Sequence, residues 1–202
     1  MSAGEELRRA ALELGFVRAG ICDVSPLPRA DRLRSWVERG LDARMGYMAR
    51  TVGVRHLPER LLPGARAALV VVAHYGTEPP GRGADPHIGL VARYARGPDY
   101  HHVMRARLEQ LARVARQLLG ADLGARAVVD TAPLLERELA VRAGVGVIGK
   151  NTMLITPGIG SFTVLGALLL DAPLALDHVG PARSVCGSCE LCIEACPTGA
   201  LR

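Results

Sequence analysis

The spacing of apolar positions changes several times along the chain, and each change predicts an element. Residues 5–14 repeat at helical spacing and are closed by Gly15, a helix-ending residue. Residues 16–24 alternate as a strand does, with Ala19, Ile21 and Cys22 in its apolar stretch. A helix follows over 28–39, stopped by Gly40, and a shorter one over 43–50. After the turn LLPGA at 61–65, residues 67–73 are apolar without interruption, which fits a central strand buried on both faces. Residues 77–89 are rich in Gly and Pro and read as a loop. The longest helical pattern covers 99–119, with Val103, Leu108, Leu111, Val114 and Leu118 on one side. A short strand over 126–129 ends at Asp130. Pro133 is expected at the first position of a helix that Gly144 closes. Residues 153–155 and 162–170 read as strands around the turn PGIGS. Helices and strands interleave, so the class is α/β with one main, mixed sheet.

Composition adds bounds. With 202 residues, 49% hydrophobic and 22% charged, the chain can bury a core of ordinary size. The longest apolar stretch, 162–176, holds Asp171 and Pro173 and is too short to cross a bilayer. The amphipathic N-terminus has no signal-peptide core, so a cytoplasmic protein without a membrane partner is expected. A net charge of +5 suits a nucleic-acid partner without requiring one. Of 25 basic residues only Lys150 is lysine, and the one asparagine, Asn151, is its neighbour. Lys and Asn codons are A-rich, and a GC-rich genome thins them. Either chance left this pair, or the spot needs an ammonium and a carboxamide.

The densest chemical signal is Cys186-x2-Cys189-x2-Cys192-x3-Cys196-Pro197. Thiolates at this spacing ligate a [4Fe–4S] cluster, whereas zinc sites usually show two separated pairs. In two-cluster ferredoxins the fourth Cys of such a run serves the other cluster, so two clusters need eight Cys. The chain has five, and Cys22 reads as a small core residue. The count implies either the N-terminal part of a longer protein or a short form with one cluster.

Three further stretches carry chemistry. Gly144, Gly146 and Gly149 in GVGVIGKN imitate dinucleotide and phosphate loops, but the expected strand-then-helix order is reversed, so both are rejected. The glycines still imply close backbone approach, to a cofactor or to a neighbouring strand. Asp130, at the end of a strand, either faces a ligand crevice or caps the helix expected at Pro133. The run RYARGPDYHH at 93–102 either lines a pocket or is a surface loop with Asp99 as a helix cap.

Taken together, RYARGPDYHHVMRARLEQL, VDTAPLLERELAVRAGVGVIGKNTMLI, GSFTVLGALLLD and CGSCELCIEACPTGAL resemble epoxyqueuosine reductases. LELGF, ARMGYMAR and RLLPGARAALVVV also fit, so the likeness runs along nearly the whole chain in one order. It is looser at Val147 and Asn151. The resemblance implies a cobalamin-binding α/β catalytic domain over 1–178 and the first part of a ferredoxin-like domain over 179–202. It implies reduction of epoxyqueuosine to queuosine in tRNA by a monomer, with electrons passing from an external donor through two [4Fe–4S] clusters to cobalamin. It casts Asp130 as the proton donor, in a crevice expected to be apolar. It places Arg93, Tyr94, Asp99, Tyr100, His101, Lys150, Asn151 and Ser161 around cofactor and substrate, and Cys186, Cys189, Cys192 and Cys196 on iron. A corrinoid reductase with another substrate, such as a reductive dehalogenase, and a plain electron carrier are the competing expectations. A carrier has no need of a crevice holding Asp130, Tyr94 and Lys150.

Overall fold

The strand β2 (Ala67–His74) is the centre of the molecule, and its side chains explain why its sequence shows no alternation. Leu69 and Val71 point into one apolar cluster, Ala68, Val70 and Val72 into another on the opposite face. A strand covered on both sides has no polar face to display. The computed structural model describes residues 2–76, 87, 89–177 and 184–202. The loop expected at 77–89 lies outside the described residues except for His87 and Gly89, and so does the domain boundary at 178/179.

Two helices cover the first face. The helix α1 (Ala3–Glu13) begins with a capping box, in which Ser2 and Glu5 satisfy each other's main-chain N–H, and Gly15 follows its end at φ 86°. The long helix is α4, Tyr100–Leu119. It buries Met104, Leu108, Leu111, Ala112 and Ala115, a stripe turned slightly from the expected one, so Val103 faces outward. Between α1 and α4 along the chain lie β1 (Arg18–Asp23), α2 (Ala30–Glu38) and α3 (Gly46–Thr51). The other face is covered in part by α5 (Glu136–Arg142).

The sheet runs β1, β2, β6 (Thr163–Leu170), β3 (Ala125–Val129). Every neighbouring pair is antiparallel, which corrects the mixed sheet expected from the sequence. The reason is order of insertion. α4 carries the chain from β2 to β3, which point the same way but are not neighbours. β6, made last, fills the gap between them in the opposite sense. Interleaving of elements along the chain does not reveal which strand will occupy such a gap.

A second ladder pairs β4 (Val147–Ile148) with β5 (Leu154–Ile155). Two of the GVGVIGKN glycines belong to it. A Cβ on Gly146 would sit 2.7 Å from the Ile155 carbonyl oxygen, and one on Gly149 would sit 2.4 Å from the Ile155 side chain. Gly146 and Gly149 allow this close strand packing, while Gly144, at φ 71°, follows the end of α5. The cysteine segment follows, with one short helix, α6 (Leu191–Glu194). None of the described helices is long and apolar enough to cross a membrane.

Gly20 in β1 shows how closely α5 approaches the sheet: a Cβ there would lie 2.1 Å from the Ala143 carbonyl oxygen and 2.9 Å from Val145. Backbone cannot yield as a flexible side chain can. Gly20→Ala should therefore cost at least about 1–3 kcal/mol through overpacking, read as a lower denaturation midpoint in urea. An unchanged midpoint would mean that α5 is free to move off β1.

Candidate active site

β3 ends where α4 begins, and this juxtaposition builds the site. The chain leaves β3 through Asp130 at φ 31°, an unusual backbone for a residue with a side chain. The segment 130–135 is a turn: Ala132 N–H donates to Val129, Leu134 N–H to Ala132 and Leu135 N–H to Arg55. Pro133 lies in this turn, and α5 starts only at Glu136, with no side-chain cap. Asp130 is therefore not the cap of that helix.

Its carboxylate is used elsewhere. Tyr100 Oη donates to Asp130 Oδ2 at 2.9 Å, and His101 Nε2 lies 3.1 Å from the same oxygen. His101 Nδ1 is 2.7 Å from Asp99 Oδ1, which also accepts the His101 main-chain N–H and caps α4. The imidazole thus has a carboxylate on each nitrogen. Desolvation pulls its pKa down, but the hydrogen bonds to Asp99 and Asp130 outweigh this and raise it. Asp99 is held below the ordinary carboxylate range by the His101 main-chain N–H and imidazole. The Tyr100 phenol is pushed up by burial, by its bond to Asp130, and by the charges of Asp130 and Glu136, so it stays a donor. Asp130 itself is 58% exposed.

An aromatic wall leads away from this cluster. Tyr100 stacks on His101 with ring centres 4.0 Å apart, and Tyr94 meets Tyr100 edge to face at 6.1 Å. Tyr75 continues the wall to Tyr94 at 6.1 Å and to Phe162 at 6.0 Å. Arg93 lies over Phe162 at 4.8 Å and donates to the Gly76 carbonyl. Tyr94 and Phe162 are each 49% exposed, so the wall has an open face. Arg93, Tyr94, Asp99, Tyr100, His101 and Asp130 are brought together.

The remaining expected residues lie differently. Lys150 turns to the cysteine segment, with Nζ 3.4 Å from Glu190 Oε1 and its main-chain N–H 3.4 Å from Cys186 Sγ. Asn151 accepts the Met153 main-chain N–H and closes its own turn. Ser161 is half-buried and precedes Phe162. Tyr75, Phe162 and Glu136 were not singled out from sequence. A signal for the first two was available, since three of the four tyrosines fall within 75–100. Glu136 had none. One of its carboxyl oxygens, Oε1, is buried with no hydrogen-bond partner. Burial, with Asp130's charge adding to it, pushes its pKa up to about 7 against the pull of the Asp130 main chain, Arg55 and Arg137.

All five cysteines are free thiols. Cys22 is buried, its thiol is pushed up to about 12 by desolvation, and its Sγ lies 3.7 Å from the Leu139 carbonyl, as a core residue should. Cys196 is drawn toward thiolate, to about 7, by the main-chain N–H of Leu201 and by Thr198. Among the described residues no three metal-ligating side chains converge. The donor set still fits iron in its chemistry, with four thiols in eleven residues and one already favouring the ligating form. The open face beside Asp130 fits a planar organic group.

Comparison with known proteins points the same way. Residues 55–131 match the family model "Epoxyqueuosine reductase QueG, DUF1730", and residues 183–202 match a 4Fe-4S binding domain. The chain is 43% identical to the epoxyqueuosine reductase of Xanthomonas campestris over 98% of its own length and 56% of that protein's. For the Vibrio cholerae enzyme the figures are 39%, 97% and 53%. The chain thus spans about half the length of these curated relatives. The solved epoxyqueuosine reductase of Streptococcus thermophilus superposes with a TM-score of 0.86 at 28% identity, covering 98% of this chain and 53% of that one. A second such structure, bound to an epoxyqueuosine-modified tRNA stem loop, has a TM-score of 0.84 at 30% identity over 98% and 52%. A third, from Bacillus subtilis, has its catalytic aspartate loop swung out of the active site, with a TM-score of 0.79 at 30% identity over 98% and 52%.

The environment of Glu136 has a thermodynamic consequence. Its folded-state pKa is raised from 4.5 to about 7, so between these values the folded chain keeps a proton that the unfolded chain has lost. Stability should fall as pH rises through that window, by up to about 3 kcal/mol. Urea unfolding at pH 5 and pH 8 measures this. Glu136→Gln should reduce the fall, and an equal fall in both proteins would refute the assignment.

Proposed function

We propose that this chain is the cobalamin-binding catalytic portion, with the start of the iron–sulfur domain, of an epoxyqueuosine reductase that forms queuosine in tRNA. Residues 1–178 form the first unit and 179–202 the second. The chain's resemblance to those reductases supports the reading, as does the tRNA stem loop held by one solved relative. The observation that carries it is local: a carboxylate clamped on one oxygen stands at the open end of an aromatic wall.

Removing an epoxide oxygen as water, leaving an alkene, consumes two electrons and two protons. When bound, cobalamin supplies a strongly reducing cobalt centre, and clusters on Cys186, Cys189, Cys192 and Cys196 supply its electrons from an external donor. The chain's own residues bind, orient and protonate. Tyr94 and Phe162 offer the exposed ring faces on which a planar group can rest. Arg93, at the far edge, carries a positive charge for an anionic substituent. Tyr100 and His101 fix Asp130 through Oδ2, and Oδ1 is left to face the epoxide oxygen. A ligand covering this face expels water, which favours the neutral carboxylic acid over the carboxylate. The acid form of Asp130 then gives its proton to the oxygen as the C–O bond opens. The protein works as a cytoplasmic monomer on this reading.

Asp130→Asn in the active holoprotein tests the assignment. Asparagine keeps the shape and can still accept the bonds from Tyr100 and His101, but it cannot act as the acid. Turnover should fall by about 10²–10⁴-fold, in the range of general acid catalysis, while folding and cobalamin binding persist. Turnover within a few-fold of wild type would remove Asp130 from the chemistry.

A further inference from the structure

The site poses a problem that a neighbouring residue answers. Asp130 is exposed, and Tyr100 and His101 both bond to its Oδ2. A proton donor that has given up its proton needs a new one, and a ligand that shuts water out removes the simplest source. Six residues along, at the start of α5, stands a carboxyl with the opposite character. Glu136 has Oε1 buried with no partner, in a place where a negative charge is poorly solvated. The groups that face it are Asp130 and Tyr100, both of the site, together with Arg55 from the segment after α3 and Arg137 beside it. The turn that joins the two carboxyls is tied at Leu135 to the Arg55 carbonyl. The Asp130 main chain and the Asp130 charge both act on Glu136, so the two residues are neighbours, and burial keeps the Glu136 carboxyl protonated.

We propose that Glu136 is the proton store of Asp130: Glu136 holds a proton of its own and passes it to the Asp130 carboxylate after Asp130 has protonated substrate. The step balances without a redox partner. The O–H bond of Glu136 breaks, an O–H bond on Asp130 forms, the negative charge moves to Glu136, and water later returns a proton to it. Arg55 and Arg137 offset the charge that Glu136 carries meanwhile. The proposal rests on the functional reading above for the fate of the proton, but not for the existence of the pair. Glu136 acts through Asp130 and touches no substrate, so it is a positioning residue in the wider sense, supplying protons to the residue that does.

Carbon-13 spectra of the side-chain carboxyls, followed against pH in the 202-residue chain, read the pair directly. Glu136 should stay protonated to near neutrality, titrating at about 7, and Asp130→Asn should lower its midpoint by removing the adjacent charge. If Glu136 titrates with the exposed glutamates, or its midpoint ignores Asp130→Asn, the pair does not exist. In the active holoprotein, Glu136→Gln should lower kcat by about tenfold or more with KM unchanged, and should erase the inflection of kcat near neutral pH. A wild-type kcat and pH profile in that variant would overturn the role as store. The two readings fail separately. Loss of the coupled titration overturns the pair whatever the enzyme does. A retained coupling with full turnover in Asp130→Asn overturns the functional reading and the transfer step together.

Discussion

The close packing of α4 across β6 sets the position of every group at the site. Gly166 of β6 leaves room for Met104 and Leu108, and a Cβ there would come within 3.0 Å of both. Because the helix is seated this deep, its first turn meets the end of β3. Tyr100 and His101 then reach the residue that follows the strand, and Asp99 caps the helix while holding the far side of the imidazole. One packing contact in the core thus aligns two segments thirty residues apart. A larger residue at 166 would press on the ends of the Met104 and Leu108 side chains, on the helix that carries Tyr100 and His101.

The same arrangement gives two carboxyls different surroundings. Asp130 lies at the surface between two hydrogen-bonding neighbours, one an imidazole inclined to carry charge. Glu136 lies beneath, short of hydrogen bonds and close to a negative neighbour. For Glu136, environment and not residue type favours the protonated form near neutrality. The turn between them, with Asp130 in the left-handed region, is the kind of local strain that a functional site retains.

Much of this was legible in the residues. The uninterrupted apolar run at 67–73 announced a strand buried on both faces, and the cysteine spacing announced an iron–sulfur run. The aromatic and polar run at 93–102 fitted a pocket or a surface loop equally, and only the resemblance placed it with Asp130. Strand direction could not be read, because apolar period shows which face a residue takes and not which strand becomes its neighbour. Pro133 misled for a related reason: it fits the first turn of a helix, but the pull of Leu135 onto the Arg55 carbonyl keeps the chain in a turn until Glu136. The burial of Glu136 depends on that long-range contact, so no local pattern foretold it. Lys150 was rightly marked as unusual. Its partner lies in the cysteine segment and not in the pocket, a pairing of residues forty apart.

The central claim is that the open aromatic face beside Asp130 receives the cofactor. Equilibrium dialysis of the purified chain against aquocobalamin, wild type beside a Tyr94→Ala/Phe162→Ala double variant, tests it most directly. The account predicts measurable binding by the wild type and an affinity weaker by about tenfold or more in the variant, equivalent to about 1.4 kcal/mol of lost ring contact. Equal affinity in two equally folded proteins, or no binding by either, would contradict it.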